Sequence, residues 1–156
     1  MTRTAVVIIA SSRAAAGVYP DRTGPLIHTW LQARDFAVTG PLVVGDGADV
    51  GAALRESIGA DLVLTSGGTG ISPTDSTPEE TAPLLDLQIP GLAAAIRAEG
   101  SDAVPTAVLS RGLAGVAGRT LVVNLPGSTG GVRDGLAVLE RVLDHALDQI
   151  RGGDHR

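Results

Sequence analysis

The sequence predicts an α/β fold in three layers (α/β/α), built on a mostly parallel, doubly wound sheet with one antiparallel strand. Two observations lead to it: short apolar runs rich in Val, Ile and Leu alternate with stretches of helical periodicity, and polar or glycine-rich loops follow the apolar runs. Uninterrupted apolar runs are typical of strands that helices cover on both faces. With 156 residues, we expect a single domain over residues 1–151 and a disordered tail over 152–156.

Four apolar runs are predicted to be parallel strands, and they lie at residues 5–10, 42–44, 62–64 and 121–123. A further apolar segment, 108–116, is separated from residues 120–124 by Ala117-Gly118-Arg119, a sequence that predicts a hairpin turn. Because the second arm of this hairpin belongs to the parallel set, its first arm is the expected antiparallel strand.

Helical periodicity appears between these runs. Apolar residues share one helix face near residues 25–31, 50–58, 90–98 and 129–151. Another helix is predicted to start at Thr77-Pro78-Glu79-Glu80, where the Thr side chain would cap the helix and Pro would occupy its first position.

The composition excludes several classes of partner. The net charge is −5 and the chain has one Trp, one Tyr and one Phe, so it lacks both the basic surface and the aromatic platform of a nucleic-acid binder. No run approaches the 18 or so apolar residues of a membrane span, and the first residues lack the apolar core of a signal peptide. Without cysteine there is no disulfide and no thiolate metal site. We therefore expect a cytoplasmic protein that binds neither nucleic acid nor membrane.

A glycine-rich segment after residues 62–64 is the most informative part of the chain. We call Ser66-Gly67-Gly68-Thr69-Gly70 the glycine loop; Asp75 follows it, just before the helix start at Thr77. Glycines at such a turn let several backbone N–H groups approach an anion, and a carboxylate beside them can hold a divalent cation. The loop matches neither common nucleotide-binding fingerprint, so taken alone it is either a phosphate-binding loop or a tight connection.

Three other loops are predicted to join the glycine loop at the edge where parallel sheets bind their ligands. Together the four loops carry the candidate site residues: Ser11, Arg13, Asp46, Ser66, Gly67, Gly68, Thr69, Gly70, Asp75, Pro126, Gly127 and Ser128. Two carboxylates, Asp46 and Asp75, near a phosphate site indicate Mg²⁺ between them.

Simpler roles exist for several of these residues. Asp46 could cap the helix that begins beside it, and Asp75 could close a turn with Pro73 and Thr74. Arg13 could neutralise an anionic substrate or be a solvated cation, and Ser128 could cap the last helix, face a phosphate, or do both.

The order of the motifs resembles the Mog/MoaB family of molybdenum-cofactor biosynthesis proteins, which includes the molybdopterin adenylyltransferases. The resemblance covers nearly the whole chain and rests on these segments in sequence: the glycine loop, Asp75, Thr77-Pro78-Glu79, Ile89-Pro90-Gly91, Leu109-Ser110-Arg111 and Asn124-Leu125-Pro126-Gly127-Ser128. The opening Ser11-Ser12-Arg13 also resembles the Mog branch, except that many relatives have Asp at the position of Ser12. The chain ends soon after its last helix, as in the MoaB branch.

The resemblance implies a reaction and a set of partners. Molybdopterin and ATP, with Mg²⁺, would give adenylyl-molybdopterin and pyrophosphate, and the protein would be a trimer, or a hexamer as in some MoaB proteins. Essential acidic residues of the family match Asp46 and Asp75, while residues 67–70 and 126–128 match segments that contact substrate and nucleotide. The alternatives are a non-catalytic molybdopterin carrier, since some MoaB proteins lack the adenylylation activity, and a general binder of sugar or nucleotide phosphates.

Overall fold

The structure is a computed structural model that describes residues 2–153, and these residues form one six-stranded sheet in the order β2-β1-β3-β6-β5-β4. The strands are β1 Thr4–Ala10, β2 Ala37–Val44, β3 Leu62–Ser66, β4 Leu87–Gln88, β5 Ala114–Ala117 and β6 Thr120–Leu125. Strand β1 runs parallel to β2 and β3, and β3 runs parallel to β6. Strand β5 is antiparallel to both of its neighbours, as predicted.

The helices cover both faces of this sheet. They are α1 Ser12–Ala15, α2 Thr23–Gln32, α3 Ala48–Ser57, α4 Thr77–Thr81, α5 Pro90–Ser101 and α6 Thr129–Ile150, with short 3₁₀ segments at Ala82–Leu84 and Pro105–Leu109. On β1, Val7 and Ile9 point to the core shared with α2, α5 and α6, whereas Val6 and Ile8 point to the core shared with α3. This alternation confirms the three-layer α/β/α prediction.

The structure differs from the predicted strands at both edges of the sheet. Strand β2 begins at Ala37 rather than at residue 42, because this edge strand alternates exposed and partly buried residues and so lacks an apolar run at its start. The antiparallel strand is Ala114–Ala117 rather than 108–116, because Pro105 starts a 3₁₀ segment that leaves Val108 and Leu109 exposed. The two-residue strand β4 was not predicted, since both of its residues are exposed.

The start of α4 also differs from the prediction. The N-cap is Ser76, whose carbonyl accepts a hydrogen bond from the backbone N–H of Glu80 at 3.0 Å. The predicted cap by the Thr77 side chain is therefore wrong, although Pro78 does lie in the first turn. The hydroxyl of Thr77 makes no hydrogen bond at the start of α4.

Gly152 and Gly153 close the C-terminal end of α6 with two hydrogen bonds, and Gly152 has a φ angle of +87°. The backbone N–H groups of Gly152 and Gly153 donate to the carbonyls of Gln149 and Asp148, at 2.9 and 2.8 Å. The remainder of the predicted tail, residues 154–156, lies outside the described residues. Within residues 2–153, no helix is long and apolar enough to cross a membrane.

Candidate functional site

A cavity of about 950 Å³ opens where β1, β2, β3 and β6 end, at the carboxyl edge of the sheet. Several candidate residues predicted from the sequence line it: Ser11, Arg13, Asp46, Ser66, Gly67, Gly68, Asp75, Gly127 and Ser128. Parallel neighbours bring these loops together because their strands all end on the same side. The cavity is within the size range of ligand pockets.

Three of the candidate residues lie behind the cavity wall instead. The carbonyl of Thr69 accepts the backbone N–H of Arg111 at 2.7 Å, and the carbonyl of Gly70 accepts the Arg111 Nε–H at 2.8 Å. The carbonyl of Pro126 accepts the hydroxyl of Ser66 at 2.7 Å. These residues hold the glycine loop and the connection between β6 and α6 in place, and they do not face a ligand.

Asp46 is held by Ser12 and not by the helix that follows it. Its carboxylate oxygen Oδ2 accepts the Ser12 hydroxyl at 3.0 Å, and its own backbone N–H donates back to the Ser12 Oγ at 3.0 Å. The N-cap of α3 is Gly47, so the capping interpretation of Asp46 is wrong. The second carboxylate oxygen, Oδ1, has no hydrogen-bond partner among the described residues.

Asp75 closes a turn and also lines the cavity. Its Oδ2 accepts the backbone N–H of Ser72 at 3.2 Å, and its own N–H donates to the Ser72 carbonyl at 3.0 Å. The turn interpretation is therefore correct, and it leaves Asp75 Oδ1 available to a ligand at the cavity wall.

Glycines give both carboxylates the space they occupy. A Cβ atom added to Gly70 would lie 2.7 Å from Asp75 Oδ2, and one added to Gly68 would lie 3.3 Å from Asp46 Oδ1. Residues with side chains would displace these carboxylates. The glycine loop therefore provides room for the acidic pair, which the sequence pattern alone did not indicate.

The backbone of the glycine loop adopts a conformation that favours glycine. Gly67 and Gly68 have φ angles of +97° and +66°, and a Cβ on Gly67 would overlap the carbonyl oxygen of Ala10 at the end of β1. The Gly67 N–H donates to the Leu125 carbonyl at 3.1 Å and so is not available to an anion. In the described residues, the next N–H groups, at Gly68 through Gly70, have no hydrogen-bond partner.

The N-terminus of α6 faces the same cavity. Ser128 is its N-cap, and the Ser128 Oγ accepts the N–H of Gly131 at 3.0 Å. Gly127, Ser128 and Thr129 line the cavity, and the first turn carries no acidic residue. The free N–H groups and the dipole of a 22-residue helix favour an anion at this position.

The remaining polar residues of the cavity divide into structural and exposed groups. Ser66 is 1% exposed, and its hydroxyl lies 3.0 Å from that of Thr23, so it connects β3 to α2. The Ser11 Oγ caps α1 by accepting the N–H of Ala14 at 3.2 Å and lies 3.2 Å from the Tyr19 hydroxyl. Arg13 is exposed, and no ion-pair partner for it occurs in residues 2–153.

A buried hydroxyl without a partner lies behind the acidic pair. Thr77 is 1% exposed, and its Oγ1 has no hydrogen-bond partner in the structure. A Cβ on Gly68 would overlap this oxygen, and the same Cβ would lie 3.3 Å from Asp46 Oδ1, so the two oxygens flank one point. Buried polar groups are almost always hydrogen-bonded, and a water or a ligand atom beside Asp46 would complete this one.

The donor set fits a magnesium ion that shares its coordination with a substrate. Within the described residues, no group of three or more His, Cys, Asp or Glu side chains could hold a metal. Magnesium, however, keeps several waters and is commonly bound by one or two carboxylates together with substrate phosphates. Asp46 and Asp75 line one cavity with the N-terminus of α6, so they are the residues that would hold such an ion.

Several residues of the site were not assigned from the sequence. The cavity is also lined by Ser12, Tyr19, Asp21, Arg22 and Thr74. Ser12 had one usable signal, because it is the second residue after β1 and therefore lies at the ligand-binding edge. The others lie in loops whose course depends on long-range packing.

Known proteins are similar to this chain in sequence and in fold. Residues 6–145 match the family model described as a probable molybdopterin binding domain. The chain is 58% identical to the molybdopterin biosynthesis Mog protein from Mycobacterium ulcerans; its solved structure aligns with a TM-score of 0.91, over 97% of this chain and 99% of that one.

Curated relatives are more distant in sequence. The chain is 34% identical over 158 residues to a molybdopterin adenylyltransferase from Helicobacter pylori, covering 94% of this chain and 86% of that protein. It is 40% identical over 155 residues to a molybdenum cofactor biosynthesis bifunctional protein from Synechococcus elongatus, covering 97% of this chain. The chain spans about half the length of that bifunctional relative, 48%.

Proposed function

This chain belongs to the family of probable molybdopterin binding domains, in molybdenum-cofactor biosynthesis, and we propose that it is a molybdopterin adenylyltransferase. The reaction transfers AMP from ATP to the terminal phosphate of molybdopterin and releases pyrophosphate. Its relatives named molybdopterin adenylyltransferase support the activity. The observation that carries the proposal is that one cavity is lined by the carboxylates of Asp46 and Asp75 and by the N-terminus of α6.

The proposed chemistry needs alignment and charge neutralisation more than proton transfer. An oxygen of the molybdopterin phosphate forms a bond to the α-phosphorus of ATP, the bond from that phosphorus to the bridging oxygen breaks, and its electron pair leaves with pyrophosphate. The attacking oxygen is already ionised near neutral pH, so no general base is required. The barrier then depends on bringing two anions together in line.

The residues of the cavity have separate roles in this proposal. The N-terminus of α6 and the free N–H group of Gly68, which lines the cavity, would bind phosphate oxygens, and the exposed Arg13 would offset their charge. Asp46, oriented by Ser12, and Asp75, oriented by its turn with Ser72, would hold Mg²⁺. When bound, the ion would neutralise the developing charge on the transferred phosphoryl group.

The proposed function is tested by anaerobic incubation of the protein with molybdopterin, ATP and Mg²⁺, followed by chromatography for adenylyl-molybdopterin and pyrophosphate. We expect magnesium-dependent product from the wild type. Asp75→Asn should fold and bind molybdopterin but lose on the order of 10²-fold or more of the turnover, comparable to removing one preorganised electrostatic contact. Unchanged turnover in this variant would contradict the role given to Asp75.

A molybdopterin carrier is the second candidate, because the phosphate-binding features of the cavity do not by themselves require turnover. Thermal unfolding separates the two. The enzyme should be stabilised by ATP only when Mg²⁺ is present, whereas a carrier should respond to molybdopterin alone. Stabilisation by unrelated sugar phosphates would instead indicate a general phosphate binder.

The assembly and location implied by the family resemblance belong to the same proposal. We propose a cytoplasmic homotrimer, with a hexamer as the alternative. Light scattering coupled to size-exclusion chromatography distinguishes the two by mass, starting from a chain of 15.7 kDa.

A further inference from the structure

Arg111 makes an unusual set of contacts behind the cavity wall. It lies just before β5, and its guanidinium donates from Nη1 to both carboxylate oxygens of Glu79, at 2.9 and 2.7 Å. The same group donates from Nε to the Gly70 carbonyl at 2.8 Å and from Nη2 to the Asp75 carbonyl at 3.1 Å. Its backbone N–H donates to the Thr69 carbonyl at 2.7 Å. One residue thus contacts the chain before, at and after the turn that presents Asp75.

The segment held in this way has few other attachments. We call residues 71–76 the Asp75 loop; Ile71 to Thr74 are exposed, and the Asp75–Ser72 hydrogen bonds lie within the loop itself. The loop bonds to α4 at its end, where the Ser76 carbonyl accepts the Glu80 N–H at 3.0 Å, and just beyond it the Thr77 N–H donates to the Gly68 carbonyl at 3.1 Å. The Arg111 guanidinium is the side-chain contact that joins Gly70, just before the loop, and Asp75, within it, to Glu79 of α4.

The charges of this contact persist across neutral pH. The hydrogen bond from Arg111 is the largest influence on Glu79 and holds the pKa of that carboxyl below its usual range. In return, the hydrogen bond to Glu79 raises the pKa of Arg111, with a smaller contribution from the charge of Asp75. A planar guanidinium suits this arrangement, because its fixed fork can engage a carboxylate and two carbonyls together.

We propose that Arg111 is a positioning residue that fixes the Asp75 carboxylate against Gly70, in the cavity that Asp46 and the N-terminus of α6 also line. Arg111 does not line the cavity, so it acts through the Asp75 loop and not on the substrate. The kinetic part of this inference rests on the proposed adenylyltransferase function; the ordering of the loop does not.

The exposure of the contact separates positioning from global stability. The side chains of Arg111 and Glu79 are 37% and 55% exposed, and ion pairs at such positions contribute little to the free energy of unfolding. A misplaced catalytic group can nevertheless slow a reaction by about 10²-fold for a shift of about 1 Å. Loss of Arg111 also removes its hydrogen bonds to the Gly70 and Asp75 carbonyls, so it should lower the unfolding temperature modestly and kcat strongly.

Hydrogen–deuterium exchange tests the ordering without any activity. We expect Arg111→Ala to increase deuterium uptake in peptides covering residues 69–77 and to leave uptake in α6 unchanged. The matched control is Arg141→Ala, which removes another exposed arginine ion pair, with Glu99, away from the cavity lining. Unchanged uptake over residues 69–77 in Arg111→Ala would overturn the proposal, whatever the activity of the protein.

Kinetics test the consequence for catalysis. Arg111→Ala should lose on the order of 10²-fold in kcat while KM for both substrates stays within about twofold, and added guanidinium should restore part of the rate. Arg111→Lys keeps the positive charge but lacks the planar guanidinium that binds Glu79 and the two carbonyls, so it should lose about tenfold in kcat. If Arg111→Ala does not fold, Arg111→Lys provides the kinetic test. A kcat loss that only follows a lowered unfolding temperature, or no loss, would overturn the positioning role.

The two proposals fail differently. If the wild type shows no transfer but exchange rises over residues 69–77 in Arg111→Ala, the adenylyltransferase proposal fails and the ordering role of Arg111 stands. If the wild type is active and both Arg111 variants match it, the positioning role fails and the proposed function stands.

Discussion

At the scale of single residues, the acidic pair depends on glycines that leave room for it. The φ angle of Gly70 is ordinary, so Gly70→Ala tests space alone: its Cβ would lie 2.7 Å from Asp75 Oδ2 and should displace that carboxylate. We expect about tenfold or greater loss of turnover with little change in unfolding temperature. Gly91→Ala is the control, because a Cβ there meets nothing within 4 Å. Equal activity of the two variants would show that Asp75 tolerates the shift.

The hydroxyl of Thr77 makes a second residue-scale prediction. Since it is buried and unpartnered, Thr77→Val should remove a desolvated group and raise the stability of the ligand-free protein by about 1–3 kcal/mol, measured by urea unfolding. Thr81→Val is the matched control: the Thr81 hydroxyl donates to the Thr77 carbonyl at 2.7 Å and accepts from Asn124 at 3.2 Å, so this variant should be less stable. A destabilised Thr77→Val would mean that the hydroxyl has a partner after all.

Sequence reasoning placed the two carboxylates but not what orients them. Asp46 and Asp75 stand out because each follows a predicted strand within a short polar loop. Their partners do not: Ser12 is 34 residues from Asp46 in sequence, and Arg111 is 41 residues from Gly70. Contacts over such separations depend on strand order, and one sequence does not show which strands are neighbours.

At the scale of elements, α6 is the clearest case in which pattern and structure agree. Its apolar stripe predicted a helix over 129–151, and the structure has Thr129–Ile150 with Leu139 fully buried on the stripe. We expect Leu139→Ala to lower the free energy of unfolding by about 2–5 kcal/mol, through lost burial and a cavity. Val142→Ala on the same helix, at a side chain 40% exposed, should cost much less. Similar losses at both positions would contradict the packing of α6 described above.

The elements whose bounds the sequence predicted wrongly are those with few buried side chains. Continuous apolar runs identified β1, β3 and β6 because these strands are buried on both faces. The same signal failed for Val108 and Leu109, which are apolar but exposed in a 3₁₀ segment, for the first half of the edge strand β2, and for β4. Apolar content predicts burial only where tertiary packing supplies a neighbour.

At the scale of the whole molecule, Asp61 connects the end of the chain to the amino edge of the sheet, opposite the cavity. Its Oδ2 accepts the Thr4 N–H at the start of β1 at 2.8 Å, and its Oδ1 accepts the guanidinium of Arg151, just after α6, at 2.7 Å. Burial acts to raise the pKa of this carboxyl, but the hydrogen bonds from Arg151 and Thr4 outweigh it and hold the pKa below its usual value of 3.8.

The lowered pKa of Asp61 predicts how stability depends on pH. In acid the unfolded chain binds a proton at Asp61 before the folded chain does, so the contribution of the ionised carboxylate is complete above the ordinary pKa and is lost as the pH falls through the lower, folded value. Asp61→Asn should therefore unfold about 2–4 °C below the wild type at neutral pH, as expected for about 1 kcal/mol in a partly exposed pair. Thermal unfolding from neutral pH to about pH 3 should show that difference shrink only once the pH passes below the ordinary carboxyl pKa. A difference that stayed constant, or grew in acid, would mean that the Asp61 carboxylate does not stabilise the fold through these two contacts.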